Sequence, residues 1–294
     1  MNKQSFLIIT AVKNEEKNIE ALINGVNAQT RKPEKWLIIN DGSTDRTAEI
    51  VTEYSKKLNY IELINVKEDE PKPHYASKIY AELVGLREVN LDDYDFLAVL
   101  DADISFDSHY YEQMLGHFAA DDKLGIAGGM VQDVYDGKVE KGRTYHLNYV
   151  SGGIQMFRTS CYRDTGGLIV SRYGGEDTAA CVLAQMKGWK VTCFSGYPVL
   201  HHRRTGSQFN RSSQYKAAFN HGMNNYVLGY HPLYMLVKSV KRALLSPVLI
   251  GSFCMLSGYL SGMIRRENRL MTKEGIAYFR KMQMKTIRKI KFGN

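Results

Sequence analysis

Two carboxylates stand one residue apart in the sequence Asp101-Ala102-Asp103, directly after the apolar run of residues 96–100 (FLAVL). If this run is a buried strand, both side chains emerge together where the strand ends. Oxygen ligands at this spacing suit a hard divalent cation that keeps open positions for phosphate oxygens. Such a cation can neutralise a leaving diphosphate. The alternative is structural, since one of the two aspartates can instead cap the helix that follows.

A second polar cluster, residues 41–45 (DGSTD), follows the strand-like run of residues 35–40. Asp41 can accept hydrogen bonds from a nucleobase imide or a ribose hydroxyl, and Gly42 lets a ligand approach the backbone closely. The other interpretation is a plain turn in which Ser43 or Asp45 caps the next helix. This segment alone favours neither interpretation.

A third carboxylate lies in the sequence Gly174-Gly175-Glu176-Asp177, before the helical pattern of residues 178–187. At a helix start beside a glycine turn, Asp177 can be an N-terminal acid that the helix dipole stabilises. It can also be a general base that takes a proton from an attacking hydroxyl. Both possibilities stay open on local sequence.

A basic cluster, His201-His202-Arg203-Arg204, follows the apolar residues 197–200. A histidine there can complete a metal site, and an arginine can hold a phosphate. The alternative is a solvated basic loop. Adjacent histidines rarely point the same way, so at most one of His201 and His202 is expected to be a ligand.

The elements that must position these residues alternate along the first hundred residues. Strand-like runs at 5–11, 35–40, 60–65 and 96–100 are separated by helical patterns at 19–29, 45–57 and 76–89. Continuous apolar strands between amphipathic helices predict a parallel sheet covered on both faces, and ligands of such sheets bind beyond the carboxyl ends of the strands. The polar clusters at 13–16, 41–45 and 101–103 fall at these ends. Between about 124 and 200 the alternation is lost and glycine pairs recur, as at 152–153, which let the backbone approach a ligand.

The formal net charge of +8 is concentrated at one end of the 294-residue chain. Residues 265–294 hold ten Lys and Arg and two Asp and Glu, which is the whole excess. A neutral body with a basic tail argues against nucleic-acid binding and indicates a tail that faces anionic lipid. The four cysteines have no zinc spacing and indicate reduced thiols. The first residues run straight into a strand-like segment without a signal peptide, so the N-terminal body is expected in the cytosol.

Residues 243–264 carry no charge over a length that can cross a bilayer. They include Gly258-x-x-x-Gly262, a pattern typical of close helix packing. A single span would put the basic tail opposite the cytosolic body, against the positive-inside tendency, so a re-entrant hairpin or an in-plane helix is favoured. The tail around Ile276 is predicted to be an interfacial amphipathic helix. The alternative is a buried helix or a dimer contact in a soluble enzyme.

The order and spacing of these clusters resemble glycosyltransferase family 2 over residues 5–215. The shared pattern is an Asn-Glu loop after the first strand, Asp-Gly-Ser after the second, Asp-x-Asp after the fourth, and Gly-Glu-Asp about seventy residues later. The resemblance implies the GT-A fold, an α/β architecture with a Rossmann-like mixed, mainly parallel sheet and helices on both faces. This domain is expected at 1–215, with a helical, membrane-associated appendage at 216–294. Family members are mostly inverting enzymes that use Mg²⁺ or Mn²⁺ and a nucleotide-diphospho-sugar.

The resemblance also assigns roles to individual residues. It implies that Asp177 is the catalytic base and that Asp103 binds the metal directly. His201 or His202 matches a position that in some relatives touches the metal or the diphosphate, and His201 is the residue predicted to do so. The substrate-binding residues it implies are Ala11, Asn14, Glu15, Asp41, Lys78, Asp101, Gly152, Gly153, Glu176 and Arg203.

Three positions depart from the family pattern. Residues 10–14 (TAVKN) lack the base-stacking aromatic of Pro-x-Tyr-Asn, which weakens the expected preference for uracil; a UDP-sugar is still favoured, and GDP- and dTDP-sugars stay open. An asparagine common after the Lys78 position is replaced by Glu82-Leu83-Val84. The Gln-x-x-Arg-Trp motif of processive synthases is absent at 208–215, so transfer of a single sugar is expected.

The predicted function is therefore an inverting, metal-dependent glycosyltransferase at the cytoplasmic face of the cell membrane, acting on a glycan or lipid-linked acceptor. A retaining enzyme of the same fold is the nearest alternative. A sugar nucleotidyltransferase would have a glycine-rich loop after the first strand, and residues 11–18 contain no glycine. A catalytically dead binding protein is disfavoured because Asp101, Asp103 and Asp177 are intact.

Overall fold

The structure is a computed structural model that describes residues 4–66, 77–135, 138–139, 148–203, 211–242 and 249–291. The described strands are β1 (Phe6–Val12), β2 (Lys35–Asn40), β3 (Ile61–Asn65), β4 (Phe96–Val99), β5 (Ile104–Phe106), β6 (Leu124–Tyr135), β7 (Lys138–Val139), β8 (Met156–Arg158) and β9 (Lys190–His201). The described helices are α1 (Ile19–Asn27), α2 (Thr47–Ser55), α3 (Ser77–Leu86), α4 (Tyr110–Ala120), α5 (Thr159–Asp164), α6 (Glu176–Met186), α7 (Arg211–Val227), α8 (Pro232–Arg242), α9 (Ile250–Arg265) and α10 (Lys273–Lys291).

The strands form one mixed sheet in the order β3-β2-β1-β4-β8-β6-β9-β5, and β7 pairs with β6. The first four strands of the chain are parallel to one another, so their carboxyl ends meet at one edge. In the other half, β8 is antiparallel to both β4 and β6, while β9 is parallel to β6 and antiparallel to β5. The predicted mixed α/β architecture is confirmed.

Strands β1, β2 and β4 of the parallel half are almost entirely buried, as their continuous apolar sequences predict, whereas the edge strand β3 is partly exposed. Phe6, Ile8 and Trp36 have no exposed surface. The predicted strand at 35–40 is matched at both ends, and the helix predicted at 76–89 is the shorter α3. Gly85 lets α3 lie close against β2, because a Cβ there would fall 2.7 Å from the Ile39 side chain.

The irregular middle of the sequence supplies two long strands, β6 and β9, of 12 residues each. Their register pairs Asp133 with His201, and the register of β5 and β9 pairs Ile104 with His201. Asp103 immediately precedes Ile104. The strand pairing therefore brings Asp103, His201 and Asp133 together from three distant parts of the chain.

The uncharged segment predicted at 243–264 is described from residue 249 onward, where it forms α9. Residues 243–248 lie outside the described residues. The Gly258-x-x-x-Gly262 face packs against α7, since a Cβ at Gly258 would fall 2.0 Å from the carbonyl oxygen of Phe219. None of the helices within the described ranges combines the length and apolar character needed to span a bilayer.

The basic tail forms α10, and its apolar side chains pack on the body of the protein. Phe279 and Ile287 are buried, and Phe279 clusters with Val182 and Leu183 of α6. Ile276 packs against Gly229. The apolar face of this helix is therefore used internally, which corrects the prediction that it lies in a membrane interface. Among the described residues, most of the exposed large apolar side chains lie instead on α8 and α9.

Candidate active site

The loops after β1 and β2 are joined by hydrogen bonds at the carboxyl edge of the sheet. Asn14 has a left-handed backbone (φ 55°), its Oδ1 accepts from the Thr44 amide at 2.8 Å, and its amide donates to Ser43 Oγ at 3.0 Å. Asp41 is buried where β2 ends, with Oδ2 3.8 Å from Lys13 Nζ. These contacts bring the first two polar clusters together, as the parallel sheet requires.

The turn interpretation of the second cluster also holds for one of its members. Asp45 Oδ1 accepts a hydrogen bond from the Thr47 amide at 3.0 Å, at the start of α2. Hydrogen bonds to the carboxylate, led by that from the Thr47 hydroxyl, outweigh desolvation and lower the pKa of Asp45. Asp45 therefore stabilises the helix start, while Asp41 remains at the sheet edge. Ala11, the other predicted residue of β1, is half-buried and aligned with Ile39.

Arg203 connects the first loop to the Asp-x-Asp segment. Its guanidinium donates to both carboxylate oxygens of Glu15, at 2.6 and 2.7 Å, and its Nε lies 3.3 Å from Asp103 Oδ2. Burial by itself would lower the pKa of Arg203, but the two carboxylates hold it above its usual value. The predicted phosphate ligand is thus already paired with carboxylates beside the predicted metal ligand. Arg204 lies outside the described residues.

His201 lies between two carboxylates. Its Nδ1 is 2.9 Å from Asp133 Oδ1, and its Nε2 is 3.4 Å from Asp103 Oδ2. Burial alone would lower the pKa of His201, but the two aspartates raise it to about 9. Burial likewise favours protonation of Asp103, yet His201 and Arg203 outweigh it and lower the pKa of that carboxyl.

His202 faces away from this group. Its side chain is exposed, and its Nε2 lies 2.8 Å from Ser105 Oγ. The adjacent histidines point in different directions, as the sequence predicts, and His201 is the one that faces Asp103.

These residues fit a divalent cation that takes part of its coordination from the substrate. Within the described ranges, no three side chains among His, Cys, Asp and Glu form a group that could hold a metal by themselves. Asp103 and His201 offer one oxygen and one nitrogen ligand on the same side. Mg²⁺ and Mn²⁺ sites with few protein ligands are completed by phosphate oxygens and water. Asp133 behind His201 is the kind of carboxylate that orients metal-binding histidines.

Asp101 is held from two sides. Lys78 Nζ forms an ion pair with Asp101 Oδ1, and the Asp101 amide donates to the Gly153 carbonyl at 2.9 Å. Burial by itself would lower the pKa of Lys78, but Asp101 and Glu82 hold it above its usual value. A Cβ at position 153 would fall 2.4 Å from Asp101 Oδ2, so any side chain there would require the Asp101 carboxylate to move.

Asp177 lies across the same pair of glycines. Its Oδ2 accepts hydrogen bonds from the Tyr149 hydroxyl and from the Gly152 amide, the latter at 3.2 Å. Its Oδ1 accepts from the Thr178 amide. The glycine pair therefore separates Asp101 from Asp177 and contacts both of them.

The backbone that presents Asp177 depends on the glycine turn before it. Helix α6 begins at Glu176, two residues earlier than predicted, so Asp177 is in its first turn. Gly175 has φ 91°, and a Cβ there would fall 2.4 Å from Asn224 Oδ1. The helix dipole can therefore stabilise the Asp177 carboxylate while its side chain faces the site.

A cavity with about 310 Å³ of empty space, its open mouth included, adjoins Asp177. Its wall includes Lys78, Glu82, Gly152 and Glu176. Burial, followed by the charge of Asp177, raises the pKa of Glu176. The enclosed part of this space is only about 10 Å³, close to what one water molecule occupies, so the cavity suits a single small group of a ligand, such as a hydroxyl.

Three residues of this site were not predicted from the sequence as site residues. Asp133 lies inside a long strand, and Tyr149 precedes the glycine pair without any motif of its own. Glu82 was noted only as a departure from the family pattern. No local signal distinguishes Asp133 or Tyr149, because their roles arise from strand register and loop packing.

Comparison with known sequences identifies one family and several relatives. The sequence profile of Glycosyl transferase family 2 matches residues 7–173, more than half of the chain. Poly-beta-1,6-N-acetyl-D-glucosamine synthase of Staphylococcus aureus is 26% identical over 208 residues, covering 64% of this chain and 47% of that protein. The chain thus spans about half the length of this curated relative.

Solved structures share the fold at low sequence identity. TarS of Staphylococcus aureus in complex with UDP-GlcNAc has a TM-score of 0.56 and 16% identity, covering 87% of this chain and 71% of that chain. The mannosyltransferase PcManGT of Pyrobaculum calidifontis, in complex with GDP-Man and Mn²⁺, has a TM-score of 0.57 and 13% identity, covering 89% and 88%. These likenesses confirm a GT-A-like α/β fold.

Proposed function

We propose, because the chain belongs to glycosyltransferase family 2, that it transfers a single sugar from a nucleotide-diphospho-sugar to an acceptor hydroxyl with inversion. The observation that carries the proposal is the arrangement around the glycine pair. Asp101 contacts Gly153 on one side, and Asp177 contacts Gly152 on the other. A sugar lying along this wall would have the leaving diphosphate near Asp101 and the base near its opposite face.

The proposed reaction is a single displacement. Asp177 removes the proton from the acceptor hydroxyl while its oxygen attacks the anomeric carbon. The bond from that carbon to the diphosphate oxygen breaks, and the nucleoside diphosphate leaves with the electron pair. Hydrogen bonds from Tyr149 and Gly152 hold the Asp177 carboxylate in one orientation. One in-line step inverts the anomeric configuration.

A divalent cation would be held by Asp103 and His201, and it would supply charge stabilisation for the leaving diphosphate. Arg203 can contribute a second positive charge by exchanging Glu15 or Asp103 for a phosphate oxygen. Lys78 keeps Asp101 oriented at the end of β4. The Mn²⁺ in the PcManGT complex supports the choice of metal.

The donor is proposed to be a UDP-sugar, with GDP- and dTDP-sugars as the next candidates. TarS with UDP-GlcNAc and PcManGT with GDP-Man support a nucleotide-sugar in general. Asn14, Glu15 and Asp41 line the sheet edge where the nucleoside would lie. The acceptor is proposed to be a glycan or lipid-linked saccharide of the cell surface, in keeping with the similarity to a polysaccharide synthase.

We also propose that the protein docks on an anionic membrane surface through the outer faces of α8 and α9. Most of the exposed large apolar side chains that the structure describes belong to this part of the chain. On α8 they include Leu236 and Val240, and on α9 they include Phe253 and Ile264, which are 73% and 80% exposed. Side chains that are four, seven or eleven residues apart lie on the same side of a helix. The exposed apolar side chains of α8 therefore share one side of that helix, and those of α9 share one side of theirs.

The charges beside this face favour lipid over a second copy of the chain. Lys241 and Arg242 end α8, and the exposed Arg265 and Arg266 end α9. An isologous dimer contact would bring these like charges together, whereas anionic headgroups complement them. A cytoplasmic leaflet is the proposed surface, which is where a cytosolic enzyme would meet a lipid-linked acceptor.

A thermal-shift screen against UDP-, GDP- and dTDP-sugars, with and without Mn²⁺, tests the proposed function. We expect one nucleotide series to raise the melting temperature, and to do so more with Mn²⁺. The transferred product should then have the anomeric configuration opposite to that of the donor. Retention of configuration would favour the alternative mechanism, and no stabilisation by any nucleotide would contradict the proposal.

A further inference from the structure

Glu82 is a buried carboxyl without a hydrogen-bond partner. It lies on α3 one turn after Lys78, has no exposed surface, and neither of its carboxylate oxygens accepts or donates a hydrogen bond. Its nearest charge is Lys78 Nζ, 3.8 Å from Oε1, and that ammonium is already paired with Asp101. A buried polar group in this condition costs about 1–3 kcal/mol. Such a cost at a fully buried position points to a use outside folding.

Glu82 borders the cavity that adjoins the proposed base. The same cavity is lined by Glu176, whose Oε2 is also buried and unpaired, and by Asp177 and Gly152. Glu82 approaches from α3, and Glu176 approaches from α6. The unpaired carboxyl of Glu82 and the unpaired Oε2 of Glu176, on different helices, thus border one small space beside the wall proposed for the donor sugar.

The one uncharged polar side chain in the cavity wall, that of Gln155, already has partners. Gln155 Nε2 donates to the Val150 carbonyl at 3.0 Å and approaches the Asp177 carbonyl at 3.4 Å. Among the side chains that line the cavity, the buried polar atoms without a hydrogen-bond partner are both carboxyl oxygens of Glu82 and Oε2 of Glu176. Burial raises the pKa of Glu82 to about 8, against a partial opposing effect of Lys78. A protonated carboxyl both donates and accepts hydrogen bonds, as a sugar hydroxyl does.

We propose that Glu82 and Glu176 form a subsite for hydroxyl groups of the donor sugar, and that this subsite selects an uncharged sugar over a uronic acid. The inference rests on the proposed function and deepens it. A sugar hydroxyl can donate a hydrogen bond to a carboxyl oxygen and can accept one from a protonated carboxyl. A sugar carboxylate would instead lie beside the acidic side chains of Glu82, Glu176, Asp177 and Asp101, which disfavour a further negative charge. The ammonium of Lys78 would offset little of this, because it already lies between Asp101 and Glu82. Discrimination then arises from repulsion as well as attraction.

Binding measurements with matched donors test this subsite. The nucleotide that stabilises the protein most in the presence of Mn²⁺ is chosen first. Calorimetric titration then compares three kinds of ligand: the nucleoside diphosphate alone, its neutral hexose derivatives and its uronic acid derivative. For uridine these probes are UDP, UDP-glucose, UDP-galactose, UDP-N-acetylglucosamine and UDP-glucuronic acid. The wild type should bind at least one neutral derivative roughly tenfold more tightly than the uronic acid, about the effect of one hydrogen bond.

Variants at position 82 separate this subsite from a structural role. Glu82→Leu should lose roughly tenfold in affinity for the preferred neutral donor and bind the nucleoside diphosphate unchanged. Its melting temperature should equal or exceed that of the wild type, because a buried unpaired carboxyl is removed. Glu82→Gln keeps the shape and part of the hydrogen bonding, and should lie between the two. Glu88→Gln, an exposed residue just after α3, is the matched control and should change nothing.

The outcomes distinguish the subsite from the function it rests on. Unchanged donor affinity in both Glu82 variants, or tight wild-type binding of the uronic acid, would overturn the subsite while nucleotide binding leaves the proposed function standing. A large fall in melting temperature in both variants would also overturn it, since Glu82 would then be structural. Failure of every nucleotide to bind would overturn the proposed function and this inference with it.

Discussion

Gly153 and Asp101 are in contact through both backbone and side chain. The Asp101 amide donates a hydrogen bond to the Gly153 carbonyl at 2.9 Å, and a Cβ on Gly153 would fall 2.4 Å from Asp101 Oδ2. The carboxylate at the end of β4 therefore takes its place because residue 153 has no side chain. The Asp-x-Asp segment and the glycine pair, about fifty residues apart, act as one unit.

Gly153→Ala should displace the Asp101 side chain and weaken its ion pair with Lys78. We expect weaker donor binding and a transfer rate at least tenfold lower, since small displacements of site groups have effects of this size. Calorimetric titration with the nucleotide-sugar and steady-state kinetics measure the two effects. Gly25→Ala is the matched control, because a Cβ at Gly25 in α1 meets no atom within 4 Å. Equal activity of the two variants would contradict the proposed role of Gly153.

Asp177→Asn should abolish transfer while leaving donor affinity nearly intact. The amide cannot take a proton from the acceptor, but it occupies the same volume beside Gly152. Single-turnover transfer and calorimetric donor binding are the measurements. Asp122→Asn, at an exposed turn, serves as the control. Retention of even a tenth of the turnover would show that another group is the base.

Asp133→Asn should weaken Mn²⁺ binding by about 10- to 100-fold, the usual effect of losing an orienting carboxylate behind a metal ligand. Asp133 fixes the His201 ring through Nδ1, which turns Nε2 toward Asp103. Titration of Mn²⁺ by electron paramagnetic resonance, with the nucleoside diphosphate present, measures the affinity directly. His202→Gln is the neighbouring control and should bind Mn²⁺ as the wild type does. If His202→Gln instead lost affinity for Mn²⁺, His202 rather than His201 would be the metal ligand.

The free energy of unfolding of Glu82→Gln should exceed that of the wild type by an amount that grows as the pH rises from about 5 to 8. The pKa of Glu82 is about 8 in the folded protein against 4.5 for a free carboxyl. Below 4.5 both states are protonated, so the group has no effect. Between the two values the unfolded state loses its proton first, and the wild type loses roughly 1.4 kcal/mol per pH unit relative to the variant. Urea denaturation at pH 5 and pH 8 tests this, and a pH-independent difference would refute it.

Phe253→Ser combined with Ile264→Ser should reduce binding to vesicles that contain anionic lipid. Both side chains are largely exposed on α9, so the fold should tolerate the changes. Co-sedimentation with phosphatidylcholine vesicles, with and without phosphatidylserine, measures the effect. Val139→Ser is the control, as Val139 is an exposed apolar residue of β7. If the wild type ignores vesicles and is instead a dimer that these changes dissociate, the surface is a protein interface.

The parallel half of the sheet could be predicted from the sequence because its signals are local. Apolar runs such as residues 35–40 need no knowledge of distant residues to be identified as buried strands, and the polar clusters follow them directly. The gathering of Asn14, Asp41 and Asp101 at one edge then follows from parallel strand direction alone. Local sequence leaves two roles open for Asp177, and the family resemblance favours that of catalytic base.

The sequence by itself determined which residue types stand at the strand ends and therefore the chemistry that the edge can support. Only the tertiary structure decided how they are paired: that His201 rather than His202 faces Asp103, that Asp133 orients it, and that Glu82 borders the cavity beside Asp177. These relationships depend on the register of β5, β6 and β9 and on the close packing of α3, which join residues far apart in the chain. The same reason applies to the tail, whose amphipathic pattern indicates an apolar partner but not that the partner is α6.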